Sequence, residues 1–427
     1  MTAIGEDWVI VFVTTFLLSP KTFPVSEFTM AGARGSPPDL PAELWMYIHR
    51  LALSDISPLA KLHAQDETIR YNGPEHPMSD KNLKPFFKAA RSLQRVCRLW
   101  AKLAQDLLYE NIRVNETRRW PSLSNALLQP EIAILVRNVR LSPTRFDHNE
   151  FMLRHCGPHI NVLVQPEFPR SERLYTATLH TPLPPLLSLT RVYWIESAWS
   201  APLLRAVLAA APNIQHLSLS SSPSIGTGLS AATLPVFPPL PRLQSLVLLP
   251  LTPSCVYAIL HATNLAQLTH LTIAPVHLEW PAFPVLPALR ALTLFDDRAP
   301  APLPFPPAPP PRVPFPAILA LLPALAALHY SPARLSATDA PPPPDARAPA
   351  LTCVHLYLGA EWLAGEALGR LRAHAAALCG AAFGALERVV LDGPGWVAGA
   401  GPCAGWEEWA EWRDLNGRGC GVVVGER

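Results

Sequence analysis

Leucines recur at fixed intervals through the second half of the chain. Four segments share the spacing Leu-x-x-Leu-x-x-Leu-x-Leu, with Ile or Tyr in the last place of two of them; they begin at Leu240, Leu265, Leu286 and Leu322. The last two apolar positions alternate with polar ones, so each segment predicts a short strand with one buried face, preceded by a turn that buries two further leucines. Looser copies end at Val139/Leu141, Val162/Val164, Val192/Trp194, Leu217/Leu219, Val354/Leu356 and Val389/Leu391.

The segments between these strands predict helices, for example 201–213 and 254–264. One strand and one helix cannot bury their apolar faces alone, so neighbouring units are expected to stack. The pattern resembles a leucine-rich repeat, although the Asn or Cys that normally follows the last leucine is missing. The resemblance implies an α/β fold in which residues 130–427 form an irregular solenoid with a parallel β-sheet on its concave face. A generic α/β domain with leucine-rich strands is the alternative.

The residues that flank the buried pairs are candidates for binding a protein substrate. About ten strands at about 4.8 Å each would give a face about 45 Å long, enough for a protein epitope or an extended peptide. Its four histidines also permit a metal or pH-sensing ladder, whereas the simpler interpretation is ordinary solvated strand positions. The candidates for the concave face are Asn138, Arg140, Arg191, Tyr193, His216, His270, Thr272, His329, His355 and Arg388.

Two apolar helical stripes lie nearer the N-terminus. Leu44, Ile48 and Leu51 follow the i, i+4, i+7 spacing of one helical face, with Asp39 as a candidate N-cap and Pro41 in the first turn. A second stripe runs without interruption from residue 93 to residue 108. Two such helices are too few to form a core of their own, so their apolar faces are expected to meet a partner.

Together these two segments resemble an F-box. The family pattern Leu-Pro-x-Glu-Leu, Ile, Leu, Val-Cys-x-x-Trp and Leu-Tyr is present as Leu40-Pro41, Glu43-Leu44, Ile48, Leu51, Val96-Cys97, Trp100 and Leu108-Tyr109. The resemblance covers a module at 36–115 with a loop insertion at 54–90 that the compact motif lacks. His49 also replaces the Phe or other apolar residue usual in the family.

The resemblance implies that the module docks on the Skp-type adaptor of a cullin-RING ubiquitin ligase while the rest of the chain selects a substrate. The alternative is that both stripes pack on the following domain. By position in the motif, the adaptor-binding residues would be Leu40, Pro41, Leu44, Ile48, Leu51, Val96, Cys97 and Trp100.

Residues 1–35 are interpreted as a disordered or wrongly assigned N-terminal tail. The apolar run at 8–18 is well short of the ~20 residues that span a bilayer. Glu6 and Asp7 stand where a secretory signal needs basic residues, and Met30 is an alternative start of translation. A signal or anchor, and with it a membrane-associated or secreted repeat protein, is the alternative.

The composition limits the classes of partner and the cellular compartments that are consistent with the sequence. The net charge of +2 does not indicate nucleic-acid binding. The seven cysteines are scattered without zinc spacing, which favours a reduced protein of the cytoplasm or nucleus. Proline is abundant, at 50 residues, and is concentrated at 298–316 and 339–349, which we expect to loop out of the array. Recruitment of SH3- or WW-type domains is a second interpretation of these loops.

The tail at 404–427 is interpreted as the cap that a stacked array needs at its end. Trp406, Trp409 and Trp412 are three residues apart, typical of one side of a helix, and a short strand is predicted at 422–424. An aromatic ligand cage is the alternative.

No phosphate-binding loop, nucleophile elbow or metalloprotease motif occurs in the sequence. We therefore predict a binding protein with no catalytic residue, no metal and no cofactor. The function predicted is substrate recruitment to a ubiquitin ligase of the SCF type. The alternative is a leucine-rich scaffold or receptor-like binding protein with no ligase role.

Overall fold

A computed structural model of the 427-residue chain divides into two compact units, 1–112 with 130–136 and 113–129 with 137–427. The structure describes residues 44, 80–114, 120–166, 181–196, 201–221, 237–249, 251, 253–262, 265–273, 283–294, 313–314, 321–331, 335–336, 350–357, 365–379, 383–392 and 410–424.

The described α-helices are distributed from residue 80 to residue 417. They are α1 (Asp80–Leu93), α2 (Arg98–Glu110), α3 (Trp120–Leu127), α4 (Pro130–Ala133), α5 (Phe146–His155), α6 (Ala201–Ala210), α7 (Pro253–Ala262), α8 (Gly365–Leu378) and α9 (Ala410–Gly417). The helices predicted at 201–213 and 254–264 are confirmed as α6 and α7. Among the described helices, none combines the length and apolar character needed to cross a bilayer.

The strands are β1 (Asn111–Arg113), β2 (Asn138–Arg140), β3 (Val162–Gln165), β4 (Arg191–Glu196), β5 (His216–Ser221), β6 (Ser245–Leu249), β7 (His270–Ile273), β8 (Ala291–Leu294), β9 (Val313–Pro314), β10 (Ala327–Tyr330), β11 (Leu335–Ser336), β12 (Cys353–Tyr357), β13 (Arg388–Asp392) and β14 (Gly421–Val424). Twelve of them form one sheet in the order β1-β2-β3-β4-β5-β6-β7-β8-β10-β12-β13-β14, while β9 and β11 pair separately. The pairs from β2 onward are parallel. The prediction of an α/β fold with a parallel sheet is confirmed.

The core of the second unit lies on one face of this sheet. The first leucine of each alternating pair stands beside its counterpart in the next strand, as in Leu217–Leu246–Leu271–Leu292–Leu328, and all of these side chains are buried. A parallel sheet with one such continuous apolar face is stabilised by roughly 1.5–3 kcal/mol for each large side chain removed from water.

A tight turn precedes each of the regular strands. The N–H of Leu243 donates to the carbonyl of Leu240 at 3.1 Å, and Leu268 and Leu289 do the same to Leu265 and Leu286 at 3.0 and 3.2 Å. This bond closes a turn that buries both leucines, so the residues between them point to solvent. The leucine spacing seen in the sequence is therefore the spacing of a turn followed by a strand.

The first unit differs from the sequence prediction at two places. The single stripe over residues 93–108 is divided between α1 and α2, because the chain turns at residues 94–97. Residues 80–90, within the predicted loop insertion, belong to α1. The helix is amphipathic, with Leu83, Phe86, Ala90 and Leu93 buried along one face.

The last described elements are α9 and β14. The strand predicted at 422–424 is present as β14, and it extends the sheet beyond β13. Trp412 and Leu415 of α9 are buried, whereas Trp406 and Trp409 lie outside the described residues. Of the two proline-rich segments, only Val313–Pro314 is described.

Candidate binding surfaces

The helices α1 and α2 pack around a small apolar core of the first unit. Phe86 and Leu93 from α1 meet Ala104 and Leu107 from α2, and Trp100 packs partly against them. Trp100 is half-buried, so it contributes to this core and keeps part of its ring at the surface.

The turn between these helices presents apolar side chains to solvent. Cys97 caps α2, with extended backbone and its Sγ accepting a hydrogen bond from the Trp100 N–H at 3.5 Å. The neighbouring side chains of Val96 and Leu99 are 49% and 42% exposed. We call Val96, Cys97 and Leu99 the apolar turn patch. The side chains of Val96 and Leu99 are therefore accessible to a partner.

The structure describes half of the residues predicted to bind the adaptor. Val96 and Cys97 are exposed, Trp100 is half-buried, and Leu44 is helical and 48% exposed. Leu40, Pro41, Ile48 and Leu51 lie outside the described residues.

All ten residues predicted for the concave face fall in two rows on the face of the sheet opposite the leucine core, which we call the outer rows. The first outer row is Asn138, Val162, Arg191, His216, Ser245, His270, Ala291, Ala327, Cys353 and Arg388. The second outer row is Arg140, Val164, Tyr193, Ser218, Val247, Thr272, Thr293, His329, His355 and Val390. The structure therefore places the predicted residues on one face, but not in one cluster.

One cluster of predicted residues lies on β4 and β5. Arg191 stands directly beside His216, and the His216 ring lies 4.9 Å from the Tyr193 ring, tilted by 40°. The Nδ1 atom of His216 lies 2.9 Å from the Ser245 Oγ on the next strand. The contacts with Tyr193 and Ser245 fix the orientation of the His216 imidazole.

A second cluster consists of His329 and His355, which stand side by side on β10 and β12. Their rings stack with centroids 3.8 Å apart and planes inclined by 15°. Burial, and to a smaller extent the nearby His355, together lower the pKa of His329 to about 3. His329 is therefore neutral at physiological pH, and it adds no positive charge to this face.

The strands between the two clusters carry small side chains in the second outer row. Ser218, Val247, Thr272 and Thr293 are all buried, each 7–8% exposed. The middle of this row therefore offers little accessible surface to a partner, and the broad continuous contact face predicted from the strand positions is not available there.

Exposed residues precede these four buried positions by two or three places in the chain. Gln215, Gln244, His270 and Arg290 stand at the starts of β5, β6, β7 and β8, and all four are exposed. Arg242 in the turn before β6 is exposed as well. We call these five residues the edge band. The leucine periodicity could have located four of them, since Arg242, Gln244, His270 and Arg290 occupy the x positions of the regular segments.

Two of the described cysteines are poor nucleophiles. Burial raises the pKa of Cys156 to about 12 and that of Cys379 to about 11, so both thiols stay protonated and poorly nucleophilic at neutral pH. Within the described ranges, no group of three or more His, Cys, Asp or Glu side chains is arranged to hold a metal ion.

No protein-family model matches this chain, and no curated protein is similar enough in sequence to count as a relative. The F-box and leucine-rich-repeat resemblances therefore depend on the residues themselves and on the surfaces described above.

Proposed function

We propose that this chain is the substrate-recruiting F-box subunit of a cullin-RING ubiquitin ligase of the SCF type. Residues 36–115 bind the Skp-type adaptor, and the leucine-rich solenoid that follows binds a protein substrate. The chain supplies no bond-making group. It brings a captured protein close to a ubiquitin-charged enzyme, and proximity raises the effective concentration of the reacting groups.

The observation that carries the proposal is the apolar turn patch. The motif residues Val96 and Cys97 are exposed next to Leu99, although two of these three side chains are large and apolar. Full burial of an exposed Val or Leu side chain contributes roughly 1.5–3 kcal/mol. Because Val96 and Leu99 are each about half exposed, an adaptor that covers both gains about that amount in total. Trp100 meanwhile anchors the start of α2 to the core behind the patch.

The solenoid part of the proposal is supported by the repetition of one unit. The same unit recurs from β6 to β8: a turn closed by a leucine carbonyl, then a short strand, then a connection to the next unit. Each strand pairs only with its neighbours in the sheet. Stacked units of this kind provide extended surfaces that suit protein ligands.

The test is capture of the full chain by a purified Skp-type adaptor. Wild-type chain is expected to co-purify with the adaptor, and the Val96→Asp/Leu99→Asp double variant is expected to lose capture by at least tenfold, because charged side chains replace the buried apolar contact. Both residues are exposed in the free chain, so the variant should keep its melting temperature.

The matched control is Leu187→Asp/Val285→Asp. These side chains are 58% and 62% exposed and belong to the second unit. Their variant should be captured as well as the wild type. A folded wild-type chain that captures no adaptor would contradict the ligase proposal and favour a leucine-rich scaffold with no ligase role.

A further inference from the structure

We infer that the edge band (Gln215, Arg242, Gln244, His270 and Arg290) binds an acidic, extended peptide segment of the recruited protein. The inference adds detail to the proposed function. It rests on that function only for identifying the protein that carries the peptide as a ligase substrate.

The sign of the charge in the edge band points to the acidic partner. The four turn-and-strand starts that build it span residues 211–216, 240–245, 265–270 and 286–291. Arg242 and Arg290 belong to these segments, and none of the four contains an Asp or Glu. An exposed cationic surface without local carboxylates attracts anionic groups, and guanidinium forks pair well with carboxylates.

The backbone holds the four strand starts under the edge band at a regular spacing, with Thr269 directly before His270, the first residue of β7. The Gln244 N–H donates to the Gln215 carbonyl at 2.8 Å, Thr269 donates to Gln244 at 2.8 Å, and Arg290 donates to Thr269 at 2.9 Å. Adjacent strands are therefore about 4.8 Å apart, so the band crosses four strands in about 14 Å. An extended peptide covers that length with about four residues at 3.3 Å each.

The side chains of the edge band suit a peptide backbone as well as acidic side chains. The amide groups of Gln215 and Gln244 each carry donors and an acceptor, which complement the N–H and C=O groups of a peptide bond. Arg242 lies in the turn before β6 and Arg290 at the start of β8, so the spacing across the strands alone separates them by about 10 Å, which corresponds to about three residues of extended chain. A suitable probe is therefore a peptide with two acidic residues at i and i+3.

The test measures fluorescence polarisation of the labelled peptide Gly-Ser-Gly-Glu-Ser-Gly-Glu-Ser-Gly-Ser with the full chain at low salt. We expect binding that weakens about fivefold in the Arg242→Gln/Arg290→Gln double variant, the effect of losing two solvent-exposed ion pairs. Binding should also weaken as the salt concentration rises to about 0.5 M, because exposed charges are then screened.

Two matched controls make the result specific. A peptide with Gln in place of both Glu residues should bind the wild type as weakly as the acidic peptide binds the double variant. Arg205→Gln removes an exposed arginine from α6, outside the edge band, and should leave binding unchanged. Equal binding of both peptides, or equal loss in the Arg205 variant, would overturn the inference.

Adaptor capture measured on the same proteins separates this inference from the proposed function. If the chain captures the adaptor but does not bind the peptide, the edge-band inference is overturned and the proposed function is not. Peptide binding that depends on the edge-band arginines, in a chain that captures no adaptor, would support the band and contradict the ligase role.

Discussion

Asn149 shows how one buried polar side chain stabilises the entry to a helix. Its Oδ1 accepts a hydrogen bond from the Ser142 N–H at 2.8 Å, and its Nδ2 donates to the Ser142 carbonyl at 2.7 Å. Both residues are fully buried, so water cannot replace either bond. The Ser142 Oγ in turn accepts from the N–H of Thr144 and Arg145, just before α5.

We expect Asn149→Leu to lower the free energy of unfolding by about 2–4 kcal/mol, because it leaves a buried N–H and a buried carbonyl without their partner. Urea denaturation measures the loss. Asn125→Leu makes the same exchange at an exposed position of α3 and should change stability by less than about 0.5 kcal/mol. Equal losses in both variants would show that the Ser142 contacts contribute nothing.

His329 predicts a pH dependence of stability. Its pKa is about 3 in the folded chain, mainly because of burial, against about 6.5 for an unfolded histidine. Below about pH 6.5 this histidine is therefore protonated in the unfolded chain but not in the folded chain. The free energy of unfolding falls as the pH drops through this range. At pH 5 the loss from this residue is on the order of 2 kcal/mol relative to pH 7.

The measurement compares urea midpoints at pH 7 and pH 5 for wild type and His329→Gln. The variant has no titrating group at this position, so its midpoint should fall less than that of the wild type. The same drop in both proteins would show that other groups cause the acid sensitivity.

Among the secondary-structure elements, the junction of α9 and β14 depends on one glycine. Gly419 adopts φ = 83°, its N–H donates to the Asn416 carbonyl, and the Cys420 N–H reaches back to the Leu415 carbonyl, each at 3.0 Å. These two bonds form a Schellman cap, and the buried side chains of Leu415 and Cys420 lie at its ends. The cap reverses the chain so that β14 can join the edge of the sheet.

We expect Gly419→Ala to lower the melting temperature and to cost about 1 kcal/mol, because an L side chain disfavours the left-handed backbone. No atom lies within 4 Å of the added Cβ, so the cost is conformational rather than steric. The control is Gly417→Ala, which also has open space around the Cβ but lies inside α9. Alanine is the better helix former there, so a loss at residue 417 as large as at residue 419 would contradict the assignment.

On the scale of the whole molecule, local periodicity predicted the sheet well. Alternating pairs such as Leu246/Leu248 and Leu271/Ile273 lie in strands, and of the predicted pairs only Val139/Leu141 extends past its strand, by one residue. Burial of alternate side chains is decided within a few residues. The break between α1 and α2 was not predicted, since Leu93, Val96 and Trp100 keep helical spacing across a turn. The apolar pattern continued although the backbone hydrogen bonds did not.

The candidate surfaces were only partly predictable for a different reason. Position in a strand correctly placed Tyr193 and His329 in the outer rows. Accessibility, however, depends on neighbours that come from distant sequence, so the burial of Thr272 and Thr293 could not be derived from spacing. The stacking of His329 on His355 likewise needs the register between two strands.

The register between β8 and β10 has a consequence for how such a chain can change over evolutionary time. Leu292 and Leu328 are paired just as Leu271 and Leu292 are, although the first connection contains a long proline-rich segment and the second does not. Pairing is set by the two strands and not by the length between them. Insertions or deletions in such connections can therefore accumulate in the gene without shifting the neighbouring units. The connection between β8 and β10 is accordingly a suitable site for inserting additional sequence.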